Sequence, residues 1–348
     1  MSESKEYTFS VRRYDLALVL RGGKTQFNTS NHGSQQPLDY AAVNERIATR
    51  NWAAALKPNH TTVAIDHRPT LAWMKRAAHI GALTGRVSHM FADEVADLVA
   101  SETAKSFAAA CQALTSPTFI SPTNPTNPTN PTHTANHADP TTSASFTTTN
   151  SNITSDSFNE NNEKKGVFIR TDLASLKYGL HGAGPYYATD FARVVESLIS
   201  SSAGHECLRQ EDDSLVLYLF PWVHINPDRE FRVFVHKNNI TAVSHQNLYS
   251  VNRSLAKMSD AELRVNIIDP LQAFFAVSVR DTLADFVDSY TMDFALIPGG
   301  TAFVPYFIEI NPFGAAYSAG SALFHWINDE ALLLGDGSHV ELRFNDHD

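Results

Sequence analysis

Between positions 116 and 162 the chain turns abruptly to Pro, Thr, Asn and Ser, with the tandem run TNPTNPTNPT inside it and Phe119, Ile120, Phe146, Ile153 and Phe158 as its only large apolar residues. Such a stretch cannot bury enough apolar surface to offset the entropy lost on ordering it, so it is expected to be disordered and to belong to no core. It divides the 348 residues into a lead domain at 1–115, an insertion at 116–162 and a longer region at 163–348. Loop-closure cost rises only slowly with length, so the two flanks can still be neighbours in one fold. The N-x-T triplets of the repeat carry proline at x, which excludes them as glycosylation acceptors.

The flanks alternate strand and helix signals. Ahead of the insertion, YDLALVL at 14–20 and TTVAI at 61–65 read as strands, and 39–55, 70–77 and 93–114 have Ala-rich helical spacing. Behind it, strands are expected at 166–171, 214–220, 230–235, 240–246, 289–297 and 302–310, with helices at 189–201 and 271–286. Lys237-Asn238-Asn239 and the Pro-Gly-Gly at 298–300 have the chemistry of short hairpin reversals. Strands with helices laid on them place the chain in the α+β class, and a hydrophobic fraction of 43% gives it enough material for a substantial core.

A net charge of −10 opposes broad adhesion to nucleic acid or to anionic membrane, so neither is an expected partner. Two cysteines, Cys111 and Cys207, are too few for a disulfide framework and have no metal-ligand spacing, which fits a reducing compartment. The opening MSESKEYTFSVRRYD lacks the apolar centre of a secretory signal, and no apolar run reaches the roughly 20 residues that span a bilayer. The expectation is a cytoplasmic protein.

Three segments carry groups of chemical interest. In FIEINPFG (307–314), Glu309 and Asn311 lie two apart and so share one side of a strand; two hard oxygens there suit magnesium carrying a nucleotide phosphate, although a strand-end Glu and Asn are more often simply solvated. VFIRTDLASLKYGLHGAG (167–184) sets Arg170, Asp172, Ser175 and Lys177 ahead of Gly179, Gly182 and Gly184, either a phosphate cradle with close backbone N–H groups or a surface loop. In REFRVFV (229–235), Glu230 and Arg232 share a face; Arg232 can fork onto phosphate with Glu230 positioning it or accepting ribose hydroxyls, or the arginine can serve a cross-strand ion pair. If the two closing strands pair through 298–300, Asp293 in YTMDFALI comes beside Glu309 and completes two carboxylates and an amide.

Other motifs are silent. RGGK at 21–24 lacks the GxxxxGK[ST] spacing and reads as a plain turn. His181, His224 and His245 have no metal-like spacing, Trp222, Phe324 and Trp326 read as core anchors, and no Ser-His-Asp or Cys-His arrangement can be drawn, so no catalytic residue is assigned.

The ordered set of basic strand, glycine loop, apolar strand, E-F-R hairpin, strand Asp and E-x-N resembles the ATP-grasp fold. Within that superfamily it is similar to the cell division cycle protein 123 family, cytoplasmic proteins that help assemble translation initiation factor 2. FIRTDLASLKYG resembles that family's F-P-K-x-N-x-S-x-P-K stretch, LVLYLFPWVHINPDREFRVFVHKNNITAVSHQNLY its apolar strand, N-P-x-x-E-F-R-x-F-V hairpin and I-S-Q-like strand, and EINPFG with SALFHW its D-F-N-P-F-G and S-L-L-F-T-W ending. The resemblance covers about 168–334, with Arg170 for Lys, Asp172 for Asn, Leu176 for Pro and Glu309 for Asp as departures.

What the resemblance implies is an ATP-grasp-like region of two small α/β subdomains clamping ATP, preceded by the α/β lead domain. Adenine would lie near 217–220, where Tyr218 and Phe220 stand. Arg170, Asp172, Ser175, Lys177, Gly182, Glu230 and Arg232 would hold the nucleotide, and Asp293, Glu309 and Asn311 its Mg2+. The implied function is an assembly factor whose protein client is the gamma subunit of translation initiation factor 2. Two other readings stand beside it: an ATP-grasp ligase joining a carboxylate to an amine or thiol through an acyl phosphate, and an interaction module whose nucleotide groups have decayed.

Overall fold

Leu215–Pro221 (β4) is apolar on both faces, the mark of a strand covered on both sides. Leu215, Leu217 and Leu219 enter one core while Tyr218 and Phe220 enter a second, as a period of two requires. In the computed structural model, residues 7–30, 39–116, 166–176, 190–210, 213–299, 302–317 and 319–348 are described. The stretch expected to be disordered lies outside them over 117–162, as do Lys177, His181, Gly179, Gly182, Gly184 and Gly300.

β4 is the centre of a three-stranded antiparallel sheet, flanked by Thr61–Ile65 (β2) and Val167–Arg170 (β3). Helices Arg68–Thr84 (α4), Ala92–Val99 (α5), Glu102–Thr115 (α6), Phe191–Ser200 (α7) and Ser202–Gln210 (α8) follow in chain order, and their apolar sides build the first core with it. A Cβ at Gly81 on α4 would stand 2.2 Å from the Ile199 carbonyl oxygen, so glycine is what lets α4 and α7 approach.

The second core lies under one face of a six-stranded sheet. Its order is Thr8–Asp15 (β1), His339–His347 (β9), Asn239–His245 (β6), Glu230–His236 (β5), Tyr290–Gly299 (β7) and Ala302–Pro312 (β8), parallel at the β1, β9, β6 end and antiparallel elsewhere. Phe231, Val233 and Val235 enter this core, and Arg232 and Phe234 take the opposite face. The expected hairpin turn is present, with Lys237 and Asn238 at φ 48° and 59°, the two left-handed positions of a type I′ reversal. Residues before the insertion supply one strand to each sheet, so both sheets are completed by the lead segment. Architecture and class are mixed α+β. Among the described residues, no helix is long and apolar enough to cross a membrane.

Several sequence expectations shift. The strand expected at 14–20 ends at Asp15, and Leu16–Gln26 (α1) is helical; the Asp15 carboxylate accepts from Ala17 N–H at 2.7 Å, and this cap outweighs the β preference of a short apolar run. The helix expected over 39–55 is Tyr40–Ile47 (α2) and Thr49–Leu56 (α3), broken at Ala48, and that over 93–114 breaks at Ser101, whose hydroxyl caps α6. The helical layer expected from 271 starts earlier, at the Ser259–Glu262 capping box, and runs through Asp260–Leu263 (α9), Asp269–Phe274 (α10) and Arg280–Leu283 (α11), joined by π turns. β9 was not expected; it alternates Val340, Leu342 and Phe344 into the core with Glu341, Arg343 and Asn345 on the other face.

Both cysteines are buried, and burial pushes the Cys111 thiol up to about 12 and that of Cys207 up to about 11. Neither should react with a thiol reagent in the native protein at neutral pH, and both should react in denaturant. Rapid native labelling of either one would show that the first core opens.

Candidate functional site

Strand register assembles the site. Arg232 on β5 stands across from Asp293 on β7, Asp293 across from Glu309 on β8, and Thr291 across from Asn311, with a bulge between Asp293 and Phe294. Directly opposed residues share a face at contact range. The pairing through 298–300 that would bring Asp293 beside Glu309 is the register observed, with Gly299 opposite Ala302.

Arg232 forks onto Asp293, its Nε donating to Oδ1 at 2.8 Å and its Nη2 to Oδ2 at 2.7 Å, while Nη1 donates to the Gly320 carbonyl at 2.7 Å. Asn311 Nδ2 adds a bond to Asp293 Oδ2 at 3.2 Å. From the small sheet, Arg170 on β3 reaches Glu309, Nη1 to Oε2 at 2.7 Å, and its Nε donates to Thr49 Oγ1 at 2.8 Å. The Arg170 guanidinium lies over the Trp52 ring at 5.0 Å. Thr49 in turn donates to the Thr171 carbonyl at 2.7 Å, fixing α3 to the end of β3. Two cations and two anions thus meet where the small sheet touches edge strand β8.

All four charged side chains are nearly out of water, Arg170 and Asp293 at 3% exposure, Arg232 and Glu309 at 9%. Burial works to discharge Arg232, and the field of Asp293, with Glu309 and Glu230 behind it, outweighs that and holds its pKa above the ordinary arginine value. Glu230, opposite Ala295 at the start of β5, acts on Arg232 through space.

The other expected positions divide. Asp172 accepts from the Arg50 backbone N–H at 2.9 Å and from its Nη1 at 2.6 Å, so its charge is taken up by an arginine of the lead segment that also pairs with Glu45. Ser175 sits opposite Arg170 in a backbone bridge. Phe220 is buried among Trp52 at 6.2 Å, His60 at 5.7 Å and Phe168 at 6.5 Å, and Tyr218 stacks on His60 at 6.1 Å; both are core aromatics one layer from Arg170. Lys177 and Gly182 lie outside the described residues. Phe324 and Trp326 are the core anchors expected, whereas His224 is exposed and His245 is buried with its pKa lowered by burial.

Thr49, Trp52 and Gly320 were not singled out by sequence. The only signal at 49–52 was helical spacing, and nothing in TRNW marks a partner for a strand 120 residues later. Gly320 lies in the small-residue run SAGSA, which reads as a loop; only the structure shows its carbonyl receiving Arg232.

Asp293, Glu309 and Asn311 are three hard-oxygen side chains on one strand pair, a donor set that fits magnesium completed by water and phosphate. Among the described residues there is no group of three or more His, Cys, Asp and Glu able to hold a metal unaided. Arg232→Met should therefore act first as a structural lesion, leaving Asp293 buried without its counter-charge at a cost of about 3–5 kcal/mol in denaturant unfolding. Arg232→Met combined with Asp293→Leu should recover most of that loss. A single variant costing under about 1 kcal/mol would mean that water reaches the pair.

Residues 186–346 match the D123 family. The match starts after the glycine loop, so it takes in Arg232, Asp293, Glu309 and Asn311 and leaves out Arg170, Asp172, Ser175, Lys177 and Gly182. No match was found among curated proteins. Among solved structures, Cdc123 from Schizosaccharomyces pombe is similar at 13% identity and a TM-score of 0.51, covering 89% of this chain and 99% of that one. Its C-terminally truncated form is similar at 13% identity and a TM-score of 0.49, with the same coverage. A RimK domain ATP-grasp protein from Sphaerobacter thermophilus DSM 20745 aligns at 9% identity and a TM-score of 0.22 over 49% of each chain, too weak a likeness to bear on the fold. The match over 186–346 includes the hairpin and both closing strands that build the charged cluster; over that stretch the chain is similar to the D123 family, and its fold is like that of Cdc123.

Proposed function

We propose that this protein binds magnesium ATP where its two sheets meet and serves as an assembly factor for a protein client, the gamma subunit of translation initiation factor 2. The observation that carries the nucleotide reading is the buried, charge-balanced cluster of Arg170, Glu309, Arg232 and Asp293. Buried ion pairs seldom stabilise a fold better than apolar side chains of the same volume, so a cluster that joins two sheets is better explained by a ligand that uses both signs of charge. Planar guanidinium forks suit phosphate oxygens, and the carboxylates with Asn311 suit magnesium. Bound there, the nucleotide would supply the anion for the arginines and the cation for the carboxylates at once. Asp172, Ser175, Lys177 and Gly182 belong to the same reading as the strand end and loop beside Arg170, with Glu230 behind Arg232 and the aromatic layer of Tyr218 and Phe220 beneath.

The client is supported by the D123 match and the Cdc123-like fold, and a net charge of −10 suits a basic partner surface. Calorimetric titration should give ATP binding that depends on magnesium, and Asp293→Asn should weaken it about tenfold to a hundredfold. Unchanged affinity would remove the cluster from the nucleotide site. No heat and no thermal stabilisation at about millimolar nucleotide would favour a module without nucleotide. Affinity capture from extract should recover initiation factor 2 subunits; their absence, together with phosphate release that requires an added acid and amine, would favour the ligase.

A further inference from the structure

The RGGK stretch is not a phosphate loop, and the structure gives it other work. α1 departs from helical geometry at Gly23, with φ 48° and ψ −151°, and beyond that kink Lys24 lines a cavity of about 320 Å³ that Arg232 also lines. The walls are fixed across a wide span of chain. Asn28 N–H donates to the Ala322 carbonyl at 2.6 Å and Thr29 N–H to Ser321 Oγ at 2.8 Å, which binds the residues just after α1 to the loop that carries Gly320. A Cβ at Gly320 would stand 2.0 Å from Asn28 Oδ1, so glycine there is what admits the Asn28 amide.

The lining chemistry is one-sided. Among the described residues that face this cavity there are two cations, Lys24 and Arg232, and no carboxylate; Asn28, Ser30, Gln246 and Tyr249 add amide and hydroxyl donors. Arg232 spends one hydrogen each of Nε, Nη1 and Nη2 on Asp293 and Gly320, which leaves one on each terminal nitrogen. Lys24 has no carboxylate partner among the described residues, and Tyr249, 60% exposed, holds a large aromatic ring at the rim. Arg232 is balanced by Asp293, so the Lys24 ammonium is what makes this lining positive in a protein of net charge −10.

We infer that this cavity is a second binding pocket, one for the oxyanion of a small molecule, a phosphate or carboxylate group received by Lys24 and by the free hydrogens of Arg232. It goes beyond the nucleotide reading through Lys24, Asn28, Ser30, Gln246 and Tyr249, which are no part of the Arg170, Glu309, Arg232 and Asp293 cluster, and it has only Arg232 in common with that reading. Arg232 is the shared wall. An anion in the cavity would therefore sense, through one guanidinium, whether Asp293 still holds the other side of it.

The test is titration of the full chain with inorganic phosphate and, separately, with succinate, read by calorimetry and thermal shift. Saturable binding on the order of millimolar is expected for at least one probe, weakened at least tenfold in Lys24→Ala and abolished in Lys24→Glu. Lys24 is exposed, so both variants should fold, and the magnesium ATP titration of Lys24→Ala should match the parent within about twofold. Phosphate alone would identify a phosphate-bearing ligand, succinate alone a carboxylate, and both a pocket for either. No saturable response to either probe would overturn the inference. So would phosphate binding that survives Lys24→Glu and disappears on adding magnesium ATP, which would place the anion on the Arg170 side.

Discussion

The Arg232 and Asp293 fork, extended through Glu309 to Arg170, is the contact on which the arrangement of the two sheets turns. Each charge alone would be costly in surroundings this dry, so every member fixes where the next can be. Arg232 can face Asp293 only if β5 and β7 keep their register, and Glu309 can face Asp293 only with the bulge that realigns β7 and β8. Arg170 can reach Glu309 only if β3 ends beside the edge of the large sheet, a position held by Thr49 and by the Trp52 ring. A one-residue slip in any of these strands would turn a charged group toward Phe231, Met292 or Phe294 in the second core.

That dependence explains why the segment before the insertion cannot be a bystander. β2 completes the small sheet, β1 extends the large one through β9, and α3 brings both Thr49 and Trp52 to the junction. The alternation of β4 serves the same end, since its leucines anchor the helices of the first core while Phe220 packs on Trp52 in the second. A single strand with two apolar faces is thus the mechanical link between the helical layer and the charged junction.

Much of this was legible where local chemistry decides it. The Lys237 and Asn238 reversal, the pairing of 290–299 with 302–312 and the common face of Arg232, Asp293, Glu309 and Asn311 all follow from period two and turn chemistry. What could not be read was set by distant partners. TFSVRRYD carries two arginines and makes sense as a strand only beside β9, and YDLALVL is strand-like until Asp15 caps a helix within it. Arg170 and Glu309 each stood out in the sequence as candidate groups, but their mutual contact joins residues 139 apart in different sheets, beyond the reach of spacing. The cross-strand ion pair that the sequence also allowed for Arg232 is present as the bond to Asp293.

The balance of charge also constrains any ligand. If phosphate alone drew the two guanidinium groups away, Asp293 and Glu309 would be left buried and uncompensated; if a metal alone drew the carboxylates, Arg170 and Arg232 would be stranded in the same way. Either half-ligand would pay the penalty that the resting pairs avoid, whereas a cation and a polyphosphate arriving together restore neutrality on both sides. Because Arg170 belongs to the small sheet and Arg232, Asp293 and Glu309 to the large one, that exchange would act across the junction rather than within one layer. Under the nucleotide reading proposed above, a site built this way would discriminate by joint charge before it discriminated by shape, and a partner surface on either sheet could then sense a complete ligand and ignore an incomplete one.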